Sequence, residues 1–201
     1  MKYLAAIAAS LSVAASAAYS EECKTIENDL DRLACYDKES GRTAIPEVTI
    51  NEDAIWSVST SKSEFKDTTD VIMRVVSDNA LGCSRYGETD SAVLIIRCSE
   101  NTTAMYIVTG CHLTSGHGGY GKVEYRFDEK PAGSRNFNAS TDNRALGLWS
   151  GSRSIGLVKQ MFNADKALFR FTPFNENSVT ARFTITGLEE AIKPLRKECG
   201  W

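Results

Sequence analysis

Long hydrophobic runs are missing from this 201-residue chain, and their absence narrows its class. No apolar stretch reaches the roughly 18–20 residues that a spanning helix needs, so neither a polytopic membrane protein nor stable membrane insertion is expected. An excess of positive charge is also missing, because 23 Lys and Arg stand against 26 Asp and Glu, for a formal net charge of −3. Nucleic-acid partners need clustered positive charge, so we expect none.

The motifs that would mark a hydrolase or a metal site are absent as well. CxxC, HExxH and GxSxG do not occur, and the chain has only two histidines, His112 and His117. A periplasmic hydrolase that uses one of them with an acidic partner stays open as an alternative, since a catalytic triad needs a histidine base. Structural zinc sites usually close with four ligands, whereas Cys111, His112 and His117 supply three. We therefore predict a protein that is not an enzyme, with no catalytic residue, metal or cofactor.

Residues 116–123, GHGGYGKV, nearly match the phosphate-binding loop GxxxxGK[ST]. That motif needs Ser or Thr after the lysine to hold magnesium, and a following helix. Here Val123 follows Lys122, and the next residues alternate as in a strand. The segment is therefore interpreted as a glycine-rich hairpin loop.

The first twenty residues have the pattern of a secretory signal peptide. Lys2 is a minimal positive region, residues 4–13 are apolar, and small-x-small cleavage sites stand at 15–17 and 18–20. This pattern predicts export and a periplasmic location.

Six cysteines follow the predicted signal peptide, and an even number in an exported chain points to disulfides. In one continuous helix Cys23 and Cys35 would lie about 18 Å apart, too far for a bridge that needs Cα atoms roughly 4.4–6.8 Å apart. We predict a turn near Asn28 and a Cys23–Cys35 bridge. The other pairings are not fixed by sequence; we expect Cys83–Cys98 and Cys111–Cys199.

The sequence predicts four parts for the whole chain: a signal peptide (1–20), an N-terminal helical cap (21–43), a linker (44–54) and a β-rich domain (55–201). Alternating or β-branched apolar runs predict strands, and two amphipathic stretches, 154–163 and 188–199, predict helices. Pro194 should kink or shorten the second helix. We expect a mainly β, antiparallel sandwich or barrel-like domain with two flanking helices, whose strands lie at 71–76, 92–97, 104–108, 123–128, 168–171 and 181–185. The 92–97 run is so apolar that both of its faces are expected to be covered.

A binding surface is harder to predict, because aromatic residues at strand spacing are more often core than surface. Trp149 is the exception, since glycines flank it at 147 and 151. Acidic side chains precede the strand at 71, and both histidines border the glycine-rich loop. The predicted surface comprises Trp56, Asp67, Asp70, His112, His117 and Trp149.

Several segments, in this order, resemble the VasI/TagO family of type VI secretion-associated proteins. They run from the N-terminal CKTIENDLDRLACYD through residues 56–59, 65–71, 94–103, 123–128, 138–143, 172–176 and 187–192 to the terminal Cys199-Gly200-Trp201. The resemblance spans nearly the whole chain after the signal peptide. It implies a periplasmic accessory protein that binds an envelope or secretion-machine protein. The alternative is a phage-derived or general envelope protein that binds a cell-wall or protein ligand.

Overall fold

The computed structural model describes residues 23–41, 55–63, 65–83 and 89–201. The predicted signal peptide and linker lie outside the described residues. The chain divides into two compact units between residues 47 and 48. Within the described ranges, no helix is both long and apolar enough to cross a membrane.

The N-terminal unit is built on helix α1, Asp29–Glu39. Its start is capped by Asn28, whose Oδ1 accepts a hydrogen bond from the Asp31 backbone N–H at 3.4 Å. The chain turns before this cap, which brings the Cα atoms of Cys23 and Cys35 to 5.6 Å in a disulfide. The predicted turn and the predicted Cys23–Cys35 pairing are confirmed.

The second unit contains two antiparallel sheets among the residues that the structure describes. The first has six strands in the order β1-β2-β3-β4-β8-β7, and the second has four in the order β10-β9-β5-β6. The six-stranded sheet is formed by β1 (Ser57–Lys62), β2 (Thr69–Gly82), β3 (Thr89–Ser99), β4 (Thr102–Val108), β7 (Asn138–Ala139) and β8 (Ala145–Leu148). The four-stranded sheet is formed by β5 (Lys122–Phe127), β6 (Gly133–Asn136), β9 (Lys166–Phe171) and β10 (Val179–Thr184).

Among the described residues of this unit, three helices accompany the sheets: α2 (Gly151–Gln160), α3 (Leu188–Ala191) and α4 (Lys193–Cys199). The stretch predicted as one kinked helix over 188–199 is thus two short helices separated by Ile192. Pro194 stands in the first turn of α4, where its missing N–H costs no helical hydrogen bond. Helix α2 begins three residues earlier than the sequence predicts and ends at Gln160.

One hydrophobic core joins both sheets and these helices. Strand alternation supplies it: Met73 and Val75 of β2 face inward with Leu94 and Ile96 of β3, while the residues between them face outward. Phe169 and Phe183 supply the core from the four-stranded sheet, and Leu157 does so from α2. The mainly β, antiparallel prediction is confirmed, and the sheets do not close into a barrel within the described residues.

The amide of Asn79 links the two sheets at a bulge in β2. The pairing of β2 with β3 shifts register between Val76 and Ala80. Asn79 Nδ2 donates to the Thr180 carbonyl at 3.1 Å, and Asn79 Oδ1 accepts from the Arg182 N–H at 2.9 Å. Both acceptor and donor belong to the edge strand β10, so one side chain satisfies backbone groups that an edge otherwise leaves unpaired.

Two of the three predicted disulfide pairings are wrong. The structure pairs Cys83 with Cys111 and Cys98 with Cys199. Strand direction explains why Cys83–Cys98 cannot form: Cys98 lies opposite Val71, and twelve strand residues from there to Cys83 span about 40 Å. Cys111 instead follows β4, whose last residue Val108 ends at the same end of the sheet as Cys83.

The glycine-rich segment is not a hairpin loop. Strand β4 belongs to the six-stranded sheet and β5 to the four-stranded one, so residues 109–121 carry the chain from one sheet to the other. Gly121 has φ +84°, and a Cβ there would lie 2.7 Å from the Phe137 carbonyl oxygen and from Ser115 Cβ. The glycine is therefore required by a left-handed backbone that passes close to two neighbours.

Candidate functional site

The six residues predicted as a surface are divided by the structure among four places. Trp56 lies in the core, 4% exposed, and its Nε1 donates to the Ile185 carbonyl at 3.2 Å. Trp56 is therefore not part of a binding surface. Its large ring packs in the core like other hydrophobic side chains, and its N–H finds a hydrogen-bond partner there.

Asp67 and Asp70 lie at the end of the six-stranded sheet that carries the β3–β4 turn. Asp67 is exposed in a left-handed conformation, 3.7 Å from the Lys62 ammonium. The Asp70 carboxylate accepts hydrogen bonds from the Ser99 hydroxyl at 2.9 Å and from the Glu100 N–H at 3.0 Å. Because Glu100 has φ +48°, Asp70 stabilises a tight turn, and its carboxylate is occupied by that role.

Both histidines lie in an aromatic row beside the glycine-rich segment. The ring of His112 meets Phe174 edge-on at 5.7 Å between centroids, and the ring of His117 meets Tyr120 at 5.8 Å. Tyr120 and Phe174 join the two pairs, with 5.5 Å between their centroids. Both histidine rings thus pack against aromatic rings. A histidine that acts as a base is instead held by a carboxylate or carbonyl, which fixes its tautomer.

An open groove of about 540 Å³ lies next to this row. Its lining includes His117, Tyr120, Lys122 and Asn138. The groove wall is held by Ser115, whose Oγ accepts from the Ala139 N–H at 2.9 Å. Of the lining residues, Asn138 also contacts Trp149: its carbonyl accepts a hydrogen bond from the Trp149 Nε1 at 3.0 Å.

Trp149 lies across the outward face of the six-stranded sheet, where Gly147 makes room for it. The indole and Tyr106 stack with 4.9 Å between centroids, at 31°. The Arg97 guanidinium sits 5.6 Å from the Tyr106 ring centroid, in cation–π geometry. We call Arg97, Tyr106, Gly147 and Trp149 the aromatic platform; both rings are half-buried.

The turn before β8 positions the Gly147 end of the aromatic platform. Ser140 Oγ accepts hydrogen bonds from the Arg144 and Ala145 N–H groups, and Asn143 has φ +56°. Asp142 is exposed there; a hydrogen bond from the Ser140 hydroxyl, and then one from the Arg144 N–H, lowers the pKa of its carboxyl. This turn returns the chain so that Gly147 lies opposite Tyr106 and Asn138.

Substituting Gly147 by Ala should break the platform and destabilise the fold. The added Cβ would lie 2.7 Å from Trp149 Cε2 and Cζ2 and from Tyr106 Cβ. Overpacking of this kind typically costs about 1–3 kcal/mol, which denaturant unfolding would measure as a lower free energy of unfolding. The matched control is Gly156→Ala in the exposed part of α2, where the nearest atom is 3.9 Å away and alanine should stabilise by about 0.5–1 kcal/mol. Equal effects at the two glycines would contradict this account of the platform.

Sequence reasoning located Trp149 but not Tyr106, Arg97 or Gly147. Residues 92–97 do not alternate apolar with polar side chains, so the sequence carries no signal that Ile95 and Arg97 share the outward face of β3. What could not be seen was that β4 and β8 pair, since the sequence separates Tyr106 from Gly147 by forty-one positions.

The fold and its surface define a class: a disulfide-braced domain of two antiparallel sheets, preceded by a small helical unit with its own disulfide. A family model described as "Type VI secretion system VasI, EvfG" matches residues 22–201. The chain belongs to this type VI secretion-associated VasI family, as the resemblance in its sequence implied.

No curated protein sequence matches the chain. Among solved structures, the chain is similar to invasion associated protein B from Bartonella henselae, at 9% identity and a TM-score of 0.46, over 71% of this chain and 91% of that one.

Proposed function

We propose that this chain is an exported, periplasmic accessory protein of type VI secretion that binds a protein of the secretion machinery and catalyses no reaction. The observation that carries the proposal is the family match over residues 22–201. A periplasmic accessory protein that catalyses no reaction would act by contact with other components of the machinery.

The disulfides support the periplasmic part of the proposal. All six cysteines of the chain are paired in three bridges, and such bridges persist in oxidising compartments, whereas cytosolic thiols stay reduced. The signal-peptide pattern of residues 1–20 supports the same location.

The surroundings of the two histidines support the non-enzymatic part. His112 and His117 contact aromatic rings, and in the part of the chain that the structure describes neither they nor the cysteines form an arrangement of nucleophile, base and orienting carboxylate. A cystine sulfur is not a thiolate nucleophile, which removes Cys111 beside His112 from that role.

Crosslinking in intact producing cells tests the proposal. The full chain carries a C-terminal affinity tag, cells are treated with a bifunctional crosslinker, and the purified material is identified by mass spectrometry. We expect enrichment of a type VI machinery protein over a tagged periplasmic protein of similar size. Enrichment of cell-wall fragments or phage products alone would contradict the secretion role and favour the envelope-protein alternative.

A further inference from the structure

The outward face of the six-stranded sheet is unusually apolar for a surface. Its central rows place Val76 opposite Val93 and Val93 opposite Val108, and Ile95 opposite Tyr106. Val76 is 57% exposed, and the other four are half-buried. Antiparallel sheets with one solvated face normally alternate apolar residues inside with polar residues outside, so this face departs from the rule on three adjacent strands.

Among the described residues of the second unit, no helix or strand packs across this face. Helix α4 lies on the opposite side, because Cys199 bridges to the inward-facing Cys98. Helix α2 lies on that opposite side as well, since the Ser154 hydroxyl donates to the Thr103 carbonyl and its neighbours Leu157 and Val158 enter the core. The sequence predicted that both faces of β3 are covered. The described residues of this unit cover its inner face and not its outward face.

Two arginines give this apolar face a positive charge. Arg74 lies opposite Ile95, and Arg97 lies opposite Ile72, on the same outward side. Neither guanidinium is in an ion pair within the described ranges, and the Arg97 Nε is buried without a hydrogen-bond partner there. Among the described acidic residues of β2, Asp70 has its carboxylate occupied by Ser99 and Glu100, and Asp78 accepts a hydrogen bond from the Thr184 hydroxyl.

We propose that this face, made of Ile72, Arg74, Val76, Ile95 and the aromatic platform, is the surface that binds the protein partner. The partner contributes a segment carrying apolar side chains and a carboxylate. The inference rests on the proposed function for the identity of the partner, but the surface is argued from charge and burial alone. Its aliphatic side chains fit apolar side chains of a protein. A carboxylate would pair with the exposed Arg74 guanidinium, to which it forms strong, charge-assisted hydrogen bonds.

A protein partner fits this surface better than a glycan does. Glycan recognition would need several free polar groups around the aromatic rings. Beside Tyr106 and Trp149 the polar residues are Arg97 and Asn138, and both oxygens of Asn138 already accept hydrogen bonds. The other neighbours, Ile95, Ala104 and Gly147, are apolar. The anchoring pattern here is that of a protein interface, in which aromatic residues and arginine are enriched at the centre.

Site-specific photocrosslinking in producing cells tests the surface directly. A photoreactive amino acid replaces Val76 on the proposed face, or Arg182 on the outward side of the four-stranded sheet as the matched control. We expect a protein adduct from position 76 and none from position 182. Adding Arg74→Glu to the position-76 chain should reduce the adduct at least about tenfold, because like-charge contacts at an interface cost several kcal/mol. Adding Lys166→Glu, on the control sheet, should leave it unchanged.

The outcomes separate the surface from the function. An adduct at position 76 that is lost with Arg74→Glu, but whose partner is not a secretion protein, supports the surface and contradicts the proposed function. Tag-based capture of a secretion protein without an adduct at position 76 contradicts the surface and leaves the function standing. An adduct with glycan or with a second copy of this chain, or no adduct at either position with no secretion protein captured, overturns the proposed partner. Melting curves of the Arg74→Glu chain confirm that it is folded; if it is not, Val76→Asp in a chain labelled at Ile95 replaces it.

Discussion

Replacing Cys98 and Cys199 together by Ala should lower the free energy of unfolding of the β domain by about 4 kcal/mol. The bridge closes a loop of 101 residues between β3 and the C-terminal helix. Without it the unfolded chain regains the freedom that the long loop removed, and this entropy grows with loop length. The free energy is measured by denaturant unfolding of the oxidised protein, with mass spectrometry confirming the remaining bridges.

The folded state should survive this loss because other contacts hold the C-terminus. Trp201 Nε1 donates to the buried Thr103 Oγ1 at 2.8 Å, and Arg196 Nε donates to the Trp201 carbonyl at 3.1 Å. The Lys159 ammonium and the Arg196 guanidinium lie 5.5 and 5.3 Å from the indole centroid. Because these contacts hold the terminal tryptophan in place, most of the stability change should arise in the unfolded chain.

The control is the Cys23→Ala, Cys35→Ala double variant in the N-terminal unit. Its bridge has a sequence separation of only 12, and its loss should leave the main unfolding transition of the β domain where it was. An unchanged free energy of unfolding in the Cys98, Cys199 variant, with the bridge shown to be absent, would contradict the role of that disulfide.

The strands that sequence predicted are those with a clear period. Residues 123–127 alternate, and the structure buries Val123 and Phe127 while Arg126 stays exposed. The turn between β3 and β4 was also predictable, because Asn101, with φ +61°, follows a continuous apolar run and precedes another. Local chemistry decides these elements, so one sequence is enough to place them.

Short strands and long-range pairings were not predictable. β7 has two residues, and β6 and β8 have four each, which is too few to show a period. Their positions depend on neighbouring strands that are distant in sequence. The same limit applies to the cysteines: Cys98 pairs across 101 residues. The direction of β2 relative to β3 excludes Cys83 as its partner, and the packing of α4 against these two strands brings Cys199 to it.

The candidate surface was likewise predictable only in part. The glycines around Trp149 indicated an exposed indole, and the structure places it, half-buried, on an outward sheet face. Trp56 carried no comparable signal, since its burial and its hydrogen bond to Ile185 depend on a segment 129 residues away. The positive charge of the face needed the strand register, because Arg74 and Arg97 become neighbours only when β2 and β3 pair.

Export of the type VI tube protein is the measurement that tests the central claim most directly. In a producing strain with an active type VI system, deletion of this chain should abolish most of the tube protein in the culture medium while its level inside the cell stays unchanged. The full chain expressed in trans should restore export. The His112→Ala, His117→Ala double variant should restore it as well, because the proposed role needs no catalytic base.

The control for that experiment is the abundance of each expressed chain in the periplasmic fraction, which must match the wild type. Tube-protein export that is normal in the deletion strain would contradict the secretion role. Failure of the folded double-histidine variant, with the full chain restoring export, would contradict the non-enzymatic role and favour a hydrolase. Loss of export on deletion, with full restoration by both chains, is the result that the account predicts.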